Sequence, residues 1–189
     1  MRAAVLATVF GVVTLCGQGP AVHRASGVIT LNGNTIELKS AVAVWDEADK
    51  AVLIGLFPFE VDERDARIVI QSGAHSLAAL KPSPDPSKWK TPPHGAIVLR
   101  FRKRGVELRH EDLEGFSLRS IGLEKPNHSF GVGRRTRQQF AAEVNELSVR
   151  LDKTGGAIQL LSAGSESYSG GYFDWNVRVE SGILFPPKR

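Results

Sequence analysis

The chain holds one cysteine, Cys16, and it lies in the first apolar stretch. A single thiol forms no intramolecular disulfide and builds no cysteine-ligated zinc site. Small exported domains often lean on disulfides, so this chain has to stand on packing. Long apolar runs are scarce. The run from Ala3 to Cys16 is broken by Thr8, Gly11 and Thr14, and it falls short of the roughly 20 residues that a membrane helix needs. Charge of one sign is lacking too. The 24 basic and 20 acidic residues give a formal net charge of +4, so bulk electrostatics names no partner and gives no reason to expect nucleic-acid binding. No period repeats along the chain, and the helices that parallel strands need as crossovers are missing from the pattern.

What is present begins with an export signal. Arg2 opens a short basic start, the apolar run follows, and Gly17, Gln18, Gly19 and Pro20 close it. These are the parts of a secretory signal peptide. Cleavage after Ala21, with Gly19 and Ala21 as the small residues, would release a soluble chain starting at Val22. Val13, Thr14, Leu15 and Cys16 also resemble a bacterial lipobox, with Leu15 where Gly, Ala or Ser is usual. In that route the signal ends before Cys16, which carries the lipid. Residues 22–189 read as a single β-rich domain, with 23 basic residues against 20 acidic. The expected location is periplasmic or extracellular, and any membrane attachment would be a lipid anchor.

The remainder reads as short strands between turn residues. Val28–Leu31, Asn32-Gly33-Asn34 and Thr35–Lys39 form a hairpin pattern, because Asn-Gly suits a tight turn with positive φ at both central positions. Ala41–Trp45, Ala51–Phe57, Arg67–Gln71, Ala96–Lys103, Val106–Arg109 and Leu118–Leu123 are further strand candidates. Asp62–Asp65 reads as a charged turn or a single helical turn. Five prolines between Pro82 and Pro93 exclude a central strand and make residues 82–93 a long loop. Phe140, Val144 and Leu147 recur at helical spacing, which allows one short helix near 136–147. Leu147, Val149 and Leu151 alternate instead as a strand. In Tyr172–Glu180, Phe173, Trp175, Val177 and Val179 share one face and Asp174, Asn176, Arg178 and Glu180 the other. The expected fold class is all-β, an antiparallel β-sandwich or open barrel.

The stretch Ser26–Val44, with Asn32-Gly33 at its turn, and the closing Trp175–Val179 resemble uncharacterised exported bacterial β-rich proteins. The resemblance covers roughly the first 35 residues after the signal and the last strand. It implies export and β structure. The functions in that group are unassigned, and the resemblance carries over no site residue.

Motifs that would carry chemistry match poorly. His110-Glu111-Asp112 is dense in metal-ligating types, but no second histidine stands at ligand spacing, and a solvated charged turn accounts for it. His75, His94 and His128 would join it only through the fold. Ser87-Lys88-Trp89-Lys90 fits Ser-x-x-Lys, yet it lies among prolines where the required helix does not form. Gly131-Val132-Gly133 lacks the third glycine of a dinucleotide loop. Gly164–Ser167 and Ser169–Gly171 read as a Ser/Gly connection. Asn127-His128-Ser129 is formally a glycosylation acceptor. No catalytic, cofactor-binding or metal residue is assigned, and no cofactor is expected.

Two basic clusters, Arg100, Arg102, Lys103 and Arg104, then Arg134, Arg135 and Arg137, read as the wet face of a sheet or as contacts to an anionic envelope surface. Trp89 lies in the proline-rich loop, as a lid or as an anchor for a partner. The expected role is a non-enzymatic binding or accessory protein of the envelope, with a protein, a glycan or an anionic surface as partner. One alternative is a hydrolase of envelope or extracellular polymer, drawing acid and base from Asp112, Glu114 and Asp174. A second is a structural subunit.

Overall fold

The computed structural model describes residues 23–74, 77, 93–102, 106–123, 129–135, 142–153 and 155–187. The expected export signal at 1–21 with Cys16, most of the 82–93 loop with Trp89 and Ser87–Lys90, and His75, Lys103, Arg104, Asn127, His128, Arg137 and Phe140 lie outside them.

The described residues form one curled, open sheet of eleven strands. In chain order these are β1 (His23–Leu31), β2 (Asn34–Glu37), β3 (Ser40–Asp46), β4 (Ala51–Phe57), β5 (His94–Phe101), β6 (Glu107–Leu108), β7 (Leu113–Ile121), β8 (Ser129–Arg135), β9 (Val144–Leu151), β10 (Gly156–Tyr168) and β11 (Gly171–Leu184). The neighbour order is β6-β9-β10-β11-β3-β4-β5-β7-β8, and β1 branches from β11 and carries β2. The strongly curled open sheet, a half-barrel, is consistent with the expected all-β sandwich or open barrel.

Local chemistry sets the turns. Asn32 and Gly33 have φ of 50° and 82°, the two positive values that a type I′ hairpin turn needs. They join β1 to β2, with Leu31 opposite Asn34. Asp46 Oδ1 accepts from the backbone N–H of Ala48 and of Asp49, and this closes the turn between β3 and β4.

Strand β11 is the hub. Its Gly171–Ile183 pairs with β10 from Tyr168 back to Gly156. Phe173–Ser181 pairs on the other side with β1. Past that point Ile183 and Leu184 lie parallel to Ala43 and Val44 of β3. One strand thus ties the N-terminal hairpin to both arms of the sheet.

Strands β3 and β4 are buried on both faces, which explains their nearly unbroken apolar sequences. Inside the curl, Trp45, Ile54, Leu56, Ile97, Phe101 and Phe116 belong to the main core with Ile29, Phe173 and Trp175. On the opposite face Val42, Val44, Leu53 and Phe57 meet Ala66 and Ile70 in a second, smaller core.

That second core requires helix α1 (Glu63–Val69), and here the strand expectation for Arg67–Gln71 fails. Arg67–Val69 are helical and Ile70–Ser72 form a 3-10 turn. Asp62 caps the helix by accepting from Arg64 N–H at 2.7 Å, and Glu63 pairs with Arg67 one turn on. Burial of Ala66 and Ile70 against β3 and β4 outweighs the β preference of Ile68, Val69 and Ile70.

Two further expectations are corrected. Residues 144–147, within the stretch allowed as a helix near 136–147, belong to β9, where Val149 and Leu151 alternate inward with Ser148 and Arg150 outward. Gly164–Ser167 is not a connection but part of β10, and the turn is confined to Ser169-Gly170. A Cβ at Gly164 would stand 2.5 Å from the Trp175 ring, so glycine there lets the indole pack flat on the strand. Within the strand candidate Val106–Arg109, Glu107-Leu108 forms β6. It crosses to Arg150 and Val149 of β9, at the far end of the strand order. The segment between β5 and β7 thereby draws the two ends of the sheet together.

Candidate functional site

The histidines do not converge. His94 opens β5, buried beside Phe57 with ring centroids 5.9 Å apart. His110 lies past the other end of β5, in a 3-10 turn over His110–Asp112. Among the described residues no group of three or more His, Cys, Asp or Glu is placed to hold a metal.

Asp112 is less solvated than the sequence suggests, at 6% exposed. Its carboxylate turns back to accept the Arg109 N–H at 3.0 Å, and the Asp112 carbonyl accepts the Arg102 N–H at 3.0 Å. Asp112 therefore pins the base of the β5–β7 excursion. Glu114 is exposed on β7. Asp174 pairs across to Ser165 and Thr30.

In the first basic cluster, Arg100 and Arg102 are occupied locally. Arg100 pairs with Asp49 at 3.3 Å. Arg102 donates to the Glu111 carbonyl and stands 4.0 Å from Asp112. Gly131 serves the sheet and not a phosphate, because a Cβ there would fall 1.9 Å from the Leu118 carbonyl oxygen.

One constellation escaped the sequence reading. His23 Nδ1 lies 3.0 Å from Ser181 Oγ, and His23 Nε2 lies 4.0 Å from Glu63 Oε2. The order hydroxyl, imidazole, carboxylate is that of an activated nucleophile. Ser181, however, is 2% exposed. Its Oγ also lies 2.8 Å from the Gly182 carbonyl and 3.3 Å from that of Ala41, and it takes the Ala43 N–H. This hydroxyl is a structural pin joining β1, β3 and β11.

The feature that stands out on the surface is the outer face of β9, β10, β11 and β1. Strand register sets its side chains in rows. Ser148, Gln159, Glu180 and Arg24 form one row, and Glu146, Leu161, Arg178 and Ser26 the next. The row order follows from the period-two alternation that turns Val177 and Val179 inward and Arg178 and Glu180 outward. A shallow open depression of about 290 Å³ lies over these rows. Among the described residues, the side chains of Arg24, Glu146, Gln159, Arg178 and Glu180 make no hydrogen bond or ion pair. Elsewhere Arg100 pairs with Asp49 and Arg67 with Glu63.

Further along β11 the same face carries Asn176, Asp174 and Tyr172, the last 43% exposed beside the Asn32-Gly33 turn. Residue types on this strand were legible in the sequence. The flanking rows were not, because they come from strands up to about 150 residues away in the chain. The chain matches no protein-family model, no curated protein and no solved structure.

Proposed function

We propose that the protein is an exported binding or accessory protein of the cell envelope, and that the outer face of β9, β10, β11 and β1 is its binding surface. The observation that carries this reading is the set of unengaged polar side chains on one sheet face, centred on Gln159, Arg178 and Glu180. A polar group that spends no bond inside the fold keeps its capacity for a partner. The apolar run and Gly/Pro exit of residues 3–21 support export to the periplasm or the exterior. Among the described residues no helix is long and apolar enough to cross a membrane.

The test is co-sedimentation of the purified full chain with an untreated cell-envelope preparation. The wild-type chain is expected in the pellet and the Gln159→Ala/Arg178→Ala chain in the supernatant, with both giving the same circular dichroism spectrum. Equal partition of the two chains would remove the reading.

A further inference from the structure

We infer that this face binds an uncharged, hydroxyl-rich polysaccharide chain laid along β11. The inference rests on the binding reading above and names its ligand.

Charge comes first. On the four strands Arg24, Arg150 and Arg178 face outward against Glu146, Asp174 and Glu180. Cations and anions balance and are interspersed. Such a face creates no net field to hold a polyanion, which excludes nucleic acid and acidic polymer as the natural occupant.

Apolar content comes second. The exposed large apolar side chains on this face are Val28, at 37%, and Tyr172, at 43%. The buried centre of a protein–protein interface is depleted of charge and enriched in aromatics. Here the centre is charged and the aromatic stands at one end, so the face is a poor match for a folded protein partner.

Hydrogen-bonding capacity comes third. Glu180 and Glu146 offer acceptors, Arg178 and Arg24 offer donor forks, and Gln159 offers both. Hydroxyl groups are donors and acceptors at once, so an uncharged polyol satisfies such a mixed set without leaving a charge unmatched. Leu161 lies half-buried between Glu146 and Arg178, an apolar strip that suits the C–H face of a sugar ring. At the hairpin end Tyr172 adds an aromatic surface.

Shape comes fourth. Tyr172, Asp174, Asn176, Arg178 and Glu180 follow one another at two-residue steps, a line roughly 27 Å long. The depression over its Arg178–Glu180 end is open and polar, unlike the enclosed apolar pocket of a small-molecule site. A line of that length and openness fits several sugar units of an extended chain.

The experiment is affinity electrophoresis of the full chain through gels that each contain one polymer. Amylose, hydroxyethylcellulose and galactomannan are the uncharged probes, and alginate is the polyanion. Retardation by at least one uncharged polymer is expected, and it should persist in about 0.5 M salt because no net charge is involved. Gln159→Ala and Arg178→Ala should each weaken it about tenfold, and Tyr172→Ala should weaken it measurably. Retardation equal in wild type and variants would place binding elsewhere and overturn the inference. So would retardation by alginate alone that vanishes in salt. If envelope co-sedimentation depends on Arg178 while no uncharged polymer retards the chain, the ligand class falls and the binding reading stands. If both fail, both fall.

Discussion

His23 Nδ1 and Ser181 Oγ stand 3.0 Å apart, so the start of the first strand is fastened to the end of the last across 158 residues. The other ring nitrogen, Nε2, is buried without a hydrogen-bond partner, 4.0 Å from Glu63 Oε2. Burial lowers the imidazole pKa below 6.5. Glu63 opposes that shift, Arg67 adds to it and Asp62 opposes it. Folding therefore holds the ring neutral, and the unfolded chain binds the proton more readily. This contribution to stability is complete above pH 6.5 and is lost as the pH falls below it towards the folded value. Urea unfolding at pH 7.5 and pH 5.5 should give a larger drop for wild type than for His23→Gln. Equal drops would mean that another group titrates.

Asn32 joins two hairpin tips. Its Nδ2 donates to the Tyr168 hydroxyl at 2.9 Å, and its Oδ1 accepts the Tyr172 N–H at 2.9 Å. Its positive φ is a separate requirement. Asn32→Gly keeps the backbone conformation and removes the bonds, so it should cost about 1–2 kcal/mol. Asn32→Ala adds backbone strain and should cost more. Chemical denaturation of the two variants separates the effects, and identical losses would show that the side-chain bonds contribute nothing.

Asp112→Ala should loosen the excursion that carries β6 to β9. The Arg109 N–H loses its acceptor in a part-buried place, at a cost of about 1–3 kcal/mol. Amide exchange should rise at Leu108 and Leu151, whose bonds hold that closure. Arg100→Ala breaks an exposed pair with Asp49 and should cost less than about 1 kcal/mol. An equal effect of the two substitutions would contradict the pinning role of Asp112.

Gly131→Ala tests the close approach of β8 to β7. The added Cβ meets the Leu118 carbonyl and the Arg119 Cα, which are backbone atoms that a rotamer change does not relieve. Exchange should accelerate across the β7–β8 ladder and stay unchanged in β10 and β11. Gly133→Ala, with nothing near its Cβ, is the control.

Local signals in the sequence were reliable where the physics is local. The Asn32-Gly33 turn and the alternation from Phe173 to Glu180 stand in the structure as read. Short apolar runs were ambiguous, as at Arg67–Gln71, where burial against β3 and β4 decides for helix. Pairings between distant segments left no mark. Nothing near Glu107-Leu108 announces Arg150 and Val149 as neighbours, and nothing near His23 announces Ser181. The candidate surface was half legible for the same reason. Arg178 and Glu180 could be placed on a wet face, but Gln159, Glu146 and Arg24 join them only through strand register.

The hub position of β11 bears on how the molecule comes into being. Of the sheet's strands β1 is made first and β11 last, and until residues 171–184 are free, β1 lacks the strand that pairs with it along its whole length and has only β2 as a ladder partner. The two halves of the sheet meet through the same late segment. Vectorial synthesis therefore leaves β1–β2, β9–β10 and the β3–β8 arm unjoined through β11 until residues 171–184 are made.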